Sequence, residues 1–127
     1  MARAVQPVLI TADVERLVRF YTGLLDAEEA IRFPEDGAVF YVGLRIGTNI
    51  LGITNDSAPP QGAQRILLSV DVDEVDPLLE QVEGLGGHVA SPPKDMPWGQ
   101  RVAHVQDPDG NTVNLAQELG AGSAPDH

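Results

Sequence analysis

PWGQRVAHVQDPDGNTVNLAQ, residues 97–117, reads as two strands around a tight turn. In the DPDGN segment Pro108 pre-sets φ for the first central position, Asp109 suits the next, and Gly110 supplies a positive φ. The turn therefore makes VAHVQ and TVNLAQ neighbouring antiparallel strands. Three residues are unusual for a plain hairpin. Trp98, the only tryptophan of the chain, stands between a proline and a glycine; His104 is mid-strand; Asn114 is an amide among apolar residues.

Working outward, this hairpin closes the second of two similar halves. The first half runs PVLITADVERLVRFYTGLL, a strand pattern followed by a helical one, then the short runs AEEAIRF, GAVFYVGL and TNILGIT. The second runs RILLSVDVDEVDPLLEQVEGLGG, then GHVAS, QRVAHVQ and TVNLAQ. Two βαβββ modules fit, offset by about sixty residues, a duplication rather than a solenoid. The fold class expected is α+β, with the modules forming a curved, cup-shaped mixed sheet and the helices on its outer face. One domain is expected over residues 1–120: module one over about 4–55, a linker at 55–64, module two over about 65–118, and a flexible tail at 121–127.

Helical spacing of Val14, Leu17, Val18, Tyr21 and Leu24 predicts one amphipathic helix, with Asp13 as its N-cap. Val75, Leu78, Leu79 and Val82 predict the inward side of the second. Asp73 or Asp76 caps it, Pro77 falls in its first turn, and GLGG ends it. The two-residue strand period collects Leu9, Leu51, Ile53, Ile66, Leu68, Val70, Val113 and Leu115 on one apolar face, expected under the helices. The other face holds Gln6, Val8, Ile10, Ile50, Gly52, Thr54, Arg65, Leu67, Ser69, Thr112, Asn114 and Ala116. This mixture suits the wall of a cavity with a few placed polar groups.

The chain has 127 residues, is 43% hydrophobic, and carries 19 acidic against 8 basic residues, a formal charge of −11. That charge argues against nucleic acid and anionic membranes, and fits solubility or a cationic ligand. No apolar run is long enough for a membrane span and no signal-peptide pattern opens the chain, so a cytoplasmic location is expected. Without cysteine there is no disulfide, thiolate ligand or Cys nucleophile. The phosphate-binding glycine patterns are absent, and Ser69 has no readable His–Asp partners.

The paired βαβββ pattern, FYTGLL closing the first helix, and PWGQR followed by DPDGN together resemble the vicinal oxygen chelate superfamily. The chain most resembles its glyoxalase/bleomycin resistance protein group, over about residues 4–118 by the motif order. The resemblance implies a homodimer with clefts at the interface and exchange of the N-terminal strand, near which Pro7 lies. It also implies four metal-ligand positions in the superfamily's enzymes, matched here by Gln6, Gly52, Arg65 and Asn114. Gln6 and Asn114 are weak neutral ligands, Gly52 leaves a void, and Arg65 is a fixed cation. Neither His88 nor His127 completes a set with His104. No metal, cofactor or catalytic residue is expected; His104 would be the general base if there were one.

Trp98 resembles the aromatic shelf on which such proteins stack a planar ring. Phe33, Phe40 and Tyr41 are further aromatics near the cup, with Phe40 and Tyr41 on opposite faces and strand parity silent on which faces inward; Gln6, Arg65, Gln100, His104 and Asn114 are candidate polar contacts beside the gap at Gly52. The function expected is sequestration of an aromatic natural-product antibiotic without catalysis. The alternatives are a lyase, isomerase or dioxygenase with an atypical site, and an interaction module without a small ligand.

Overall fold

The computed structural model describes residues 4–62 and 66–120. The chain divides into two compact units, Met1–Gly62 and Ala63–His127. Unit one contains β1 (Val8–Thr11), α1 (Val14–Leu25), β2 (Glu28–Phe33), β3 (Tyr41–Ile46) and β4 (Asn49–Asn55). Unit two repeats the order with β5 (Leu68–Asp71), α2 (Asp76–Val82), β6 (His88–Asp95), β7 (Gln100–Gln106) and β8 (Thr112–Glu118). Each unit makes its own four-stranded mixed sheet, ordered β1-β4-β3-β2 in one and β5-β8-β7-β6 in the other. The first strand of each lies parallel to the last; the other pairings are antiparallel. The duplication read from the sequence is thus a duplication of topology.

In unit one, Val14, Leu17, Val18, Tyr21 and Leu24 are buried as the spacing requires, and Phe20 joins them, edge-on to Tyr21 at 5.0 Å. Asp13 caps α1 by accepting from the Arg16 backbone N–H at 3.1 Å. The helix lies against β3 and β4, where Val42, Leu44, Leu51 and Ile53 are buried. Gly43, Gly52 and Tyr41 alternate with these residues and face away from the helix.

Unit two packs Val113, Leu115, Ala103 and Val105 on the corresponding side. Val75 and Val82 are buried, whereas Leu78 and Leu79 are only half-buried. Neither aspartate caps α2. The N-cap is Val75 and makes no side-chain cap bond; its N–H donates to Gln117 Oε1 on β8 at 2.9 Å. A distant glutamine thus does what the local sequence assigned to an aspartate. The helix passes into a 3₁₀ turn at Glu83–Leu85 and ends on Gly86, whose φ of +93° is left-handed. Ile66 precedes β5 and is 79% exposed, so it is not part of the apolar face expected for it.

Two arginines tie sheet to helix within their units. Arg32 bonds Glu15 of α1 at 2.8 Å and Glu29 of its own strand. Arg101 bonds Asp76 of α2 at 2.9 Å and Asp95 of β6 at 2.8 Å. Hydrogen bonds from Arg32 hold Glu15 and Glu29 below the usual carboxylate range; Arg101 does the same to Asp76. A lowered carboxylate pKa contributes stability that is present above the unfolded value and lost as pH falls through the folded one. The thermal midpoint is therefore expected to fall as pH drops from about 5 towards 2. The gap between wild type and an Arg32→Leu/Arg101→Leu variant should close over the same range. A gap that stays constant would show that these pairs do not set the acid limb. These are exposed pairs, so the effect is small.

Among the described residues, no helix is long and apolar enough to cross a membrane.

Candidate functional site

The functional candidates lie on the helix-free face of each sheet, and each unit presents its own set. In unit one, register places Val8, Gly52, Gly43 and Ile31 in one row across all four strands. The row is apolar and short of side chains. Tyr41 belongs to the next row, paired with Thr54 and Phe33, but its ring leans diagonally over Gly52. A Cβ added at Gly52 would lie 2.7 Å from the Tyr41 hydroxyl and 2.9 Å from Gln6 Nε2. Those two groups are themselves joined, Gln6 Nε2 donating to Tyr41 Oη at 2.7 Å. The gap expected at Gly52 is therefore filled, and the glycine is what lets phenol and amide meet there. From the sequence alone Tyr41 is an aromatic of undecided face. The signal for its role was a glycine inside one strand with an aromatic on the diagonal of the next.

Phe33 and Phe40 are both exposed. Phe33 faces the same way as Tyr41, its register partner, whereas Phe40 stands just before β3. Together with Val8, Ile10 and Ile31, all of them exposed, Phe33 leaves the helix-free side of unit one largely apolar.

In unit two the equivalent row is polar throughout: Ser69, Asn114, His104 and Ser91. Asn114 Nδ2 donates to Ser69 Oγ at 2.9 Å, and His104 Nδ1 lies 3.0 Å from Ser91 Oγ. His104 thus faces the helix-free side with Asn114, a point the sequence left open. The duplicated modules have diverged in side-chain chemistry at matching places on matching strands.

Four residues beyond this row, Gln100 is paired with Glu118 at the strand ends. Trp98 Nε1 donates to Gln100 Oε1 at 2.9 Å, and Gln100 Nε2 donates to Glu118 Oε1 at 3.0 Å. Gln100, expected as a ligand contact, is committed to holding the indole. The indole remains 42% exposed. Arg65 lies outside the described residues.

The positions that the resemblance matches to metal ligands can be set against what a divalent ion requires. Gln6 is engaged with Tyr41, Gly52 has no side chain, and Asn114 has one amide hydrogen on Ser69 and only a neutral carbonyl oxygen to offer. Among the described residues no three His, Asp or Glu are grouped to hold a metal. These residues do not fit a divalent ion.

Comparison with known proteins agrees with the fold. An uncharacterised protein of Mycobacterium tuberculosis is 28% identical over 128 residues, covering 91% of this chain and 75% of its own. TioX from Micromonospora sp. ML1 superposes with a TM-score of 0.74 at 21% identity, over 93% of this chain and all of that one. A glyoxalase/bleomycin resistance protein/dioxygenase family enzyme from Burkholderia phytofirmans PsJN gives 0.77 at 19% identity, over 90% and 97% of the two chains. The fosfomycin resistance protein FosX from Mesorhizobium loti gives 0.73 at 20%, over 95% and 94%. At these identities the structural likenesses are likenesses of fold. Residues 3–115 match the family model, which covers both βαβββ units but for the end of β8, and the chain belongs to the Glyoxalase/Bleomycin resistance protein/Dioxygenase superfamily.

Proposed function

We propose that the protein is an antibiotic-binding member of its superfamily, which holds an aromatic natural product and does no chemistry on it. The observation that carries this reading is the Gln6–Tyr41 pair closed over Gly52. At two of the positions where the superfamily's enzymes gather electron-pair donors, this chain has a neutral hydrogen-bonded unit instead. The partly exposed indole of Trp98, fixed by Gln100, supports a stacking contact. The charge of −11 supports a cationic ligand. The exposed apolar side of unit one supports a homodimer whose interface carries the cleft.

The test is a titration with bleomycin-type, mitomycin-type and enediyne compounds, read by Trp98 fluorescence, followed by mass spectrometry of the ligand recovered after denaturation. Stoichiometric binding, intact recovery and no effect of a chelator are expected. A ligand of altered mass, or turnover beyond stoichiometry, would establish the enzyme reading instead. That second reading has one observation in its favour: His104, on the same face as Asn114 and fixed by Ser91, is placed as a general base would be.

A further inference from the structure

We propose that Gln6 and Tyr41 form a neutral clamp for a carboxamide on the ligand, an inference that rests on the binding function above. Gln6 gives one amide hydrogen to the phenol oxygen. The phenol proton, the second Gln6 amide hydrogen and the Gln6 carbonyl oxygen then remain without another partner among the described residues. If the Gln6 amide is turned over, the roles exchange: the phenol donates to Gln6, and both amide hydrogens and a phenol lone pair are left. In either case the pair presents two donors and an acceptor on adjacent groups, with no net charge.

That combination selects by chemistry. A carboxamide carries a carbonyl acceptor and an N–H donor on neighbouring atoms and satisfies both members at once. A carboxylate offers acceptors only and leaves the clamp's own acceptor facing a lone pair. A cationic amine offers donors only and leaves the clamp's donor unmet. An unmet polar group at a contact from which water has been removed costs more than the bond itself returns.

The surroundings strengthen the selection. Ile31 and Ile50 flank Gly43, with a Cβ built there meeting their methyls at 2.8 and 3.5 Å and the Tyr41 ring at 3.6 Å. The clamp therefore sits in an apolar frame where a ligand excludes competing water. Arg45, next to Ile50 in register on this face, is directed to Glu28 at 3.9 Å.

The experiment compares three probes of one shape, naphthamide, its N,N-dimethyl amide and naphthoate, by calorimetry. The proteins are the wild type, Tyr41→Phe and Gln6→Leu, each checked for its fold by circular dichroism. The wild type is expected to bind naphthamide about three- to tenfold more tightly than either analogue. Both variants should bring the three affinities close together. A merely structural role for the pair would weaken all three probes alike and leave their ratio unchanged, which would overturn the clamp. Equal binding of the three by the wild type would also overturn it while leaving the binding function standing. Binding of no aromatic probe, whether these or the natural products above, would overturn both.

Discussion

Asp107→Ala is expected to lower the unfolding free energy by about 3 kcal/mol, the largest stability effect of any single polar residue in the hairpin. The residue is only 3% exposed. Its Oδ1 accepts from the backbone N–H of Asp109 at 3.0 Å and of Asn111 at 2.9 Å, and its Oδ2 accepts from Asn111 Nδ2 at 2.9 Å. Its own carbonyl accepts from Gly110 N–H at 2.8 Å, closing a turn in which Gly110 has φ +87°. Alanine would leave two turn N–H groups without their acceptor in a part-buried loop, each costing about 1–3 kcal/mol. Asparagine keeps one carbonyl oxygen for the two backbone donors and loses the Asn111 side-chain bond, so about 1 kcal/mol is expected. Urea unfolding measures both, read as a fall in midpoint at unchanged slope. If asparagine cost as much as alanine, the carboxylate charge, and not the bonding pattern, would hold the turn. The turn joins the two inner strands of its sheet, which carry Gln100, His104 and Asn114. Loosening it should disturb the polar row as well as stability.

The sequence made Pro108, Asp109 and Gly110 conspicuous in this turn and left Asp107 unremarked. Its importance comes from burial and from the further bonds to Asn111, four ahead, which turn propensity does not show; only the bond two ahead is the ordinary habit of an aspartate opening a turn. The same division runs through the molecule. Period-two alternation places Gly52 on the helix-free face of its sheet, and Ser69 with Asn114, because strand geometry alone fixes those sides. It also carried the duplication, since each module repeats the same switch from a period of two to one of 3.6. Contacts between strands distant in sequence were not legible. Gln117 serving the start of α2 is 42 residues from Val75 in sequence, and Gln6 meets Tyr41 across 35. Gly52 shows the cost of this. In the sequence an absent side chain means empty space, whereas a strand glycine also marks the close approach of another group.

For the binding site the largest effect is expected at the indole: Trp98→Ala should weaken ligand binding at least thirtyfold, about 2 kcal/mol or more. The local structure gives the reason for proposing this side chain, rather than Phe33 or Phe40, as the stacking surface. Met96 N–H donates to the Gln100 carbonyl at 2.7 Å and Gly99 N–H to the Met96 carbonyl at 3.0 Å, with Gly99 at φ +92°. This tight turn sets the indole beside β7, and the bond to Gln100, itself tied to Glu118, fixes its polar edge. Because the N–H is satisfied within the protein, a ligand meets ring surface whose orientation entropy is already lost, which is the condition for a strong stacking contact. Trp98→Phe keeps a flat ring but loses the bond that aligns it and should fall between wild type and alanine. Gln100→Ala keeps the ring and frees it to turn, and a loss of about threefold is expected, the worth of one hydrogen bond. Calorimetry must supply these affinities, since the variants remove or loosen the fluorophore. Sedimentation equilibrium on the same samples separates stacking from its rival. If Trp98 only closes a seam between subunits, Trp98→Ala will shift the assembly equilibrium and leave the affinity of the assembled protein unchanged.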